Sequence, residues 1–395
     1  MKPNALVMQS GGSTPVFNRS LYGIVHESSL SDQIGTVFGA IHGLDGLFDN
    51  RLLDLSKQSL TVLNGIAQTP GGALGSTRRK LEQNDIPTIM GSLRDNKIKF
   101  CFIIGGNDSA ETALSLYEAS INTPDPLSVI HIPKTIDNDL AETDHSPGYG
   151  SAARFIALAA MGAGRDAETM GRASPITVIE VMGRDAGWLA AAAALGKQEE
   201  KDAPHAICVP EIPVNEERFQ QIIESAYQRF GFAVAIVSEN TRGTDGVLGN
   251  KEDPWYVDEF GHPYHRGAGH FLASLIRHNL NVRVRYEIPG SIQRSMVNCI
   301  SNVDAKEAEY VGRSAVQYAL DGIKEGMVGL VRHSGDNYKC TSTINPLTQI
   351  VGRVKQMPPE HIDAFNFEPT QSFIDYAMPL IGQPLPVFNR FYISD

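Results

Sequence analysis

Short apolar runs of five to eight residues, each closed by a glycine-rich or polar turn, set the rhythm of this chain. ALVMQ leads into SGGSTPVFN, KFCFII into GGNDSAETALSLYEA, LSVIHI into PKTIDND, and PITVIEV into MGRDAGWLAAAAALG. Each apolar run reads as a buried strand, and the segment after it, where helical, as an amphipathic or Ala-rich helix. HAICV and FAVAIVSE continue the series as strands around the helix ERFQQIIESAYQRFG. A later helix is expected over SNVDAKEAEYVGRSAVQYALDGI, whose acidic start suits the positive end of the helix dipole. Strands alternating with helices imply an α/β fold with parallel, doubly wound sheets.

Composition agrees with that reading. The 395 residues allow two or three domains, 42% apolar content supplies a core, and many of the 37 glycines fall at strand ends. No apolar run is long enough for a membrane span, because the best candidate, Phe155 to Gly164, is closed by Arg154 and Arg165. The N-terminus lacks the apolar core and cleavage site of a signal peptide, so a cytoplasmic location is expected. Cys101, Cys208, Cys299 and Cys340 form no paired motif and read as buried free thiols. With 34 basic and 45 acidic residues the net charge is −11, and there is no basic stripe for a nucleic acid. The segment TRGTDGVLGNKEDPWYVDEFGHP reads as a long surface connection, and the Pro-rich C-terminal tail gives no motif.

In open α/β sheets ligands sit beyond the carboxyl ends of the strands, where the unusual segments of this chain fall. Ser10-Gly11-Gly12-Ser13 can bring backbone N–H groups close to a phosphate, or can be a plain tight turn. Gly105-Gly106-Asn107-Asp108-Ser109 opens a helix; Asp108 can cap it or offer a hard oxygen to Mg²⁺. Thr135-Ile136-Asp137-Asn138-Asp139, after Pro133-Lys134, sets two carboxylates two residues apart beside a lysine, more than a turn requires. One can take a proton from a substrate hydroxyl while the other helps hold a metal. Met182-Gly183-Arg184-Asp185-Ala186-Gly187 adds close backbone and a guanidinium fork, and Arg78, Arg285 and Arg294 stand at other strand or loop ends.

Taken in order, these motifs resemble the phosphofructokinase family, and within it the pyrophosphate-dependent branch, from about Leu6 to Arg332. GGNDS is similar to the family's GGDGS or GGDDS element, PKTIDND to its PGTIDND or PKTIDND element, and VIEVMGRDAGWLA and the later IQR to further signatures. The resemblance implies two α/β lobes with the active site in the cleft between them. Residues 1–140 plus about 293–343 would bind the phosphoryl donor, and 141–292 plus about 344–395 the sugar phosphate. It implies that Asp137 is the general base toward the 1-hydroxyl of fructose 6-phosphate, with Lys134, Asp108 and Arg184 as further catalytic groups. Gly12, Arg78, Asn107, Asp108 and Lys134 would meet the donor. Thr135, Ile136, Asp137, Met182, Gly183, Arg184, Glu239, Arg285, Ser291 and Arg294 would meet the sugar phosphate, Arg285 being lent to a neighbouring subunit of a homodimer or homotetramer. Asn107, Asp108 and Asp139 would serve Mg²⁺.

The resemblance also bears on the donor. ATP-using relatives carry glycine at the positions of both Asp108 and Lys134. A carboxylate at Asp108 would repel a nucleotide α-phosphate by up to about 4 kcal/mol at about 4 Å and an effective dielectric near 20. Lys134 adds charge for a donor that lacks adenosine contacts, so pyrophosphate is the expected donor. The alternatives are an ATP-dependent phosphofructokinase and a non-catalytic sugar-phosphate-binding paralogue. Two positions depart from the family pattern: Asn107 replaces a usual Asp, and Ser291 replaces a usual His or Tyr. The second widens the expected acceptors to a longer sugar phosphate such as sedoheptulose 7-phosphate.

Overall fold

The computed structural model describes residues 2–249, 256–257, 263–264, 267–335 and 337–391. Its larger sheet is built from β1 (Asn4–Gln9), β2 (Val37–Ala40), β3 (Leu52–Asp54), β4 (Ile98–Gly105), β5 (Ser128–Pro133) and two late strands, Glu325–Arg332 and Cys340–Asn345. The order across it is Cys340–Asn345, Glu325–Arg332, β5, β4, β1, β2, β3. The five central strands run parallel; the two edges, which sequence periodicity does not reveal, are antiparallel. A second sheet is wholly parallel and orders Val284–Glu287, β6 (Ile176–Val181), β8 (Ala233–Ser238) and β7 (Ala206–Cys208).

The six apolar runs singled out in the sequence all become strands, because β1, β4, β5, β6, β7 and β8 are buried on both faces. The strands missed by pattern lie at or next to sheet edges: β2 is only four residues long, Glu325–Arg332 is broken by two glycines, and β3, Val284–Glu287 and Cys340–Asn345 mix polar with apolar residues. The Ala-rich GWLAAAAALG is helical only in part: Trp188–Ala191 is α and Ala192–Gly196 tightens to 3₁₀. This stretch is buried, and a Cβ on Gly196 would lie 2.5 Å from Met161, so packing against Tyr149–Met170 limits it.

Two helix contacts fix the frame. Helix α1 (Phe17–Leu30) lies against helix Asn302–Leu320 at a mutual glycine contact, since a Cβ on Gly23 would sit 2.3 Å from the Glu309 carbonyl and one on Gly312 2.3 Å from that of Ser20. Asp304, fully enclosed on Asn302–Leu320, accepts the N–H groups of Gly148 (2.8 Å) and Ser151 (3.0 Å) and so caps helix Tyr149–Met170. Burial pushes its carboxyl up to about 6, against the pull of those hydrogen bonds. The C-terminal segment, through Met357, Ile362, Phe373 and Leu380, joins the core formed by Tyr149–Met170 and the second sheet.

Of the long connection after Thr241, Arg242–Gly243 pairs with Gly246–Val247 and Tyr256–Val257 with Pro263–Tyr264, while 250–255, 258–262 and 265–266 lie outside the described residues. All four cysteines are free; Cys101, Cys208 and Cys299 are buried and Cys340 half-buried. Among the described residues no helix is long and apolar enough to cross a membrane.

Candidate functional site

Strand register brings the turns together. Gln9 pairs with Ile104 and Gly105 with Pro133, so the turns after β1, β4 and β5 leave one edge of the larger sheet side by side. Gly105 has no room for a side chain, because a Cβ would meet that of Ser109 at 2.3 Å. The absence of that atom lets helix Asn107–Ser120 start directly at the strand end. Lys134 crosses beneath these turns: its ammonium donates to the Gly12 carbonyl (2.6 Å) and lies 4.8 Å from the centre of the Phe17 ring. It is 4% exposed, and burial draws its pKa down to about 8 against the opposing pull of Asp137.

The loop after Lys134 is shaped by Asn138, which adopts a left-handed φ of +57°. Its carbonyl oxygen accepts the Ser146 N–H, and its amide donates to the Tyr376 hydroxyl at 2.8 Å. Thr135 Oγ1 accepts the N–H of Asp137, and Ile136 is buried in the second lobe's core. Asp137 and Asp139 therefore face the cleft on either side of a pinned residue. Burial, then the charges of Asp139 and Glu239, push Asp137 up to about 7 despite Lys134 and Arg294. One of its oxygens is enclosed with no hydrogen-bond partner among the described residues. Asp139 is also raised, chiefly by burial, and accepts a 2.9 Å hydrogen bond from the Asn107 amide.

The second sheet supplies the opposite wall. Met182 and Gly183 follow β6; the Met182 N–H donates to Gln293 Oε1 and the Gly183 carbonyl, at φ +115°, accepts from Ser238. Arg294, at the end of the turn Gly290–Arg294, reaches the first lobe: its guanidinium lies 2.7 Å from where a Cβ on Gly12 would be. Glu239, after β8, is raised by burial, with Arg184 and Arg294 opposing. Lys134, Asp137, Asp139, Asn107, Gly12, Glu239 and Arg294 thus converge, the charge of Arg78 bears on Lys134, and that of Arg184 on Glu239.

Others stand further out. Asp108 is exposed on the first turn of its helix, 3.5 Å from Lys80, and Arg78, Arg184 and Ser291 are also exposed. Arg285 lies on the edge strand Val284–Glu287 and is salt-bridged to Asp166.

The structure adds Lys355, which no motif marks. Its N–H donates to the Asp139 carbonyl (2.8 Å), and its ammonium to Asn138 Oδ1 (3.2 Å) and the carbonyls of Thr143 (3.3 Å) and Asp144 (2.7 Å). Burial lowers its pKa to about 7 against the attraction of Asp144 and Asp139. Lys355 and Tyr376 come from the C-terminal segment, and only the fold lays that segment behind the carboxylate loop. His131, wholly buried on β5, is excluded as a base, since desolvation and then the charge of Lys134 hold it down to about 3.

Two groups bear on a metal. Asn107 and Asp139 meet at 2.9 Å and Asn107 Oδ1 is buried without a partner among the described residues, oxygen chemistry that fits a hard cation such as Mg²⁺, while Asp108, one residue on, is exposed beside Lys80. Asp144, His145 and Cys340 also lie within 4.8 Å of one another. His145 is already held at 2.7 Å by both Asp144 and Glu307, Arg332 occupies Asp144, and sulfur and imidazole suit softer ions. That group is an ion-pair network.

Comparison with known proteins agrees with this architecture. The phosphofructokinase family model matches residues 4–319. The pyrophosphate–fructose 6-phosphate 1-phosphotransferase of Rhodospirillum rubrum is 37% identical over 391 residues, covering 98% of this chain and 96% of the relative. That of Halomonas elongata is 36% identical, covering 98% and 94%. The crystal structure of the pyrophosphate-dependent phosphofructokinase of Nitrosospira multiformis superposes with a TM-score of 0.89 at 31% identity, over 98% of this chain and 94% of that one. With paired α/β sheets, a carboxylate and lysine cleft between them and full-length likeness to these enzymes, the chain belongs to the phosphofructokinase family.

Proposed function

We propose that this protein transfers a phosphoryl group from pyrophosphate to the 1-hydroxyl of fructose 6-phosphate, giving fructose 1,6-bisphosphate and phosphate, in sugar breakdown and its reversal. The observation that carries the mechanism is Asp137, a partly buried carboxyl raised to about 7 with one oxygen unpartnered, beside an ammonium lowered to about 8. A carboxylate so placed accepts the 1-hydroxyl proton as the oxygen attacks the phosphorus in line, and the bond to the leaving phosphate breaks. Lys134, fixed on the Gly12 carbonyl, stabilises charge on the transferring and leaving groups.

Gly12 and Arg78 of the first lobe receive the donor; Met182, Gly183, Arg184, Glu239 and Arg294 hold the sugar phosphate from the second. Asn107, Asp108 and Asp139 would hold Mg²⁺, which when bound neutralises phosphate oxygens. The negative charge of Asp108 at the helix start and the buried Lys134 favour pyrophosphate over a nucleotide. Exchange of one phosphoanhydride for an ester leaves the reaction readily reversible. Arg285, on an edge strand, supports a role in a neighbouring subunit's site and hence a homodimer or homotetramer.

Assay of the purified protein with Mg-pyrophosphate and then Mg-ATP tests the donor. Turnover with pyrophosphate in both directions is expected; turnover with ATP alone overturns the reading. Sedimentation gives the subunit number, and monomeric active enzyme removes the role given to Arg285.

A further inference from the structure

We propose that a cavity at the opposite edge of the larger sheet, by the amino ends of β1, β4 and β5, binds a small anionic molecule that carries an apolar or aromatic body. The cavity measures about 600 Å³, within the roughly 300–1,000 Å³ of small-molecule sites. Four cations line it, Lys2, Arg94, Lys97 and Lys99, against one carboxylate, Asp125. On a chain of net charge −11 this is a marked local inversion. Concave walls focus such a field toward an incoming anion. Lys99 is salt-bridged to Asp125, and Arg94 lies 3.9 Å from Asp95 with both side chains exposed, so two carboxylates offset part of the rim's positive charge.

The floor is different in character. Pro3, Met90 and Pro124, each with accessible apolar surface, line it over a base of Leu93, Ile98 and Leu127, which are buried. An inorganic ion would satisfy the rim and leave the apolar lining hydrated; a neutral hydrocarbon would cover the lining and strip water from the cations. A molecule with an acidic group and an apolar body meets both requirements. The rim is also a fixed part of the fold. Lys97 holds a left-handed φ of +53°, its N–H donates to Arg94 and its carbonyl accepts the Asn4 N–H at the start of β1, both at 2.9 Å. This cavity and the catalytic turns occupy opposite ends of the same strands, since β4 runs eight residues, about 26 Å, between them.

The probe is 8-anilinonaphthalene-1-sulfonate, whose fluorescence rises when its rings leave water, titrated into the full-length protein. Its neutral analogue N-phenyl-1-naphthylamine and pyrophosphate serve as comparisons. Saturable binding at one site per chain is expected, not displaced by pyrophosphate and stronger than that of the neutral analogue. The variant R94E/K97N should weaken it about tenfold while turnover stays unchanged, Asn being a residue that tolerates the left-handed backbone. Binding that is displaced by pyrophosphate, matched by the neutral compound or unaffected by the double substitution overturns the proposal. Absence of saturable binding does so too.

Discussion

Two polar clusters lie near each other in this molecule and are built on opposite terms. Around His145, each group has found its partner: the ring is held at 2.7 Å by Asp144 and by Glu307, Tyr338 donates to Glu307 at 2.6 Å, and Arg332 spans Asp144 and the Tyr376 carbonyl. Around Asp137, an oxygen of Asp137, the Nε of Arg294 and the Oδ1 of Asn107 are all enclosed without partners among the described residues. The His145 side chain is raised through its two carboxylates, against desolvation, whereas Asp137 and Lys134 are both driven mainly by desolvation toward neutrality. A satisfied network ties elements together. Unpartnered polar groups that meet in a cleft mark a place where a polar ligand can bind, and those of Asp137, Arg294 and Asn107 lie together between the lobes.

Substitutions should separate the two clusters. Asp137→Asn is expected to lower kcat by about a thousandfold with the fold intact, the scale of a lost general base. In the unsubstituted protein kcat/KM should rise with pH as Asp137 loses its proton near 7 and fall as Lys134 loses its near 8; the acid limb should vanish in the variant. A raised carboxyl makes the folded state bind its proton more tightly than the unfolded chain. Its contribution to stability is therefore fullest below the ordinary carboxyl range and is lost as pH rises through about 7. Asp137→Asn should accordingly melt higher than the parent at pH 8, by calorimetry.

Lys134→Met should cost about a hundredfold in turnover with pyrophosphate, measured in both reaction directions. Lys355→Met should cost about tenfold in kcat and leave KM for pyrophosphate within about threefold, because it acts through Asn138 and the backbone of Asp139. The acid limb should shift as well, and a variant that loses stability with an unmoved pH profile would reduce Lys355 to a brace. Glu307→Gln should do the reverse. It is expected to destabilise the fold by about 2–4 kcal/mol in denaturant titration, with kcat per folded molecule unchanged; a large loss of kcat would erase the distinction between the clusters.

Much of this was legible in one dimension. Strands buried on both faces announce themselves as continuous apolar runs, so β1, β4, β5, β6, β7 and β8 could be read directly, and the turns that follow them hold Gly12, Asn107, Lys134, Asp137 and Met182. β2, β3, Val284–Glu287, Glu325–Arg332 and Cys340–Asn345 could not, since each is short, broken by glycine or mixed in polarity and is held in place by the strand beside it. Nor could helix Tyr149–Met170 be bounded: its cap, Asp304, is 155 residues from Tyr149 along the chain.

The sequence by itself determined the chemistry at the strand ends: which glycines can approach a phosphate, where two carboxylates flank an asparagine beside a lysine, and which family shares that order. Only the tertiary structure decided their condition. Lys134 is an ordinary lysine until the turns at Gly12 and Gly105 enclose it, and Asp137 an ordinary aspartate until burial removes its water and the charges of Asp139 and Glu239 repel its own. Lys355 and Tyr376 reach the site from a tail that carries no motif. Burial and proximity across distant segments are properties of packing, and it is packing that moves the proton affinities of these residues away from their ordinary values.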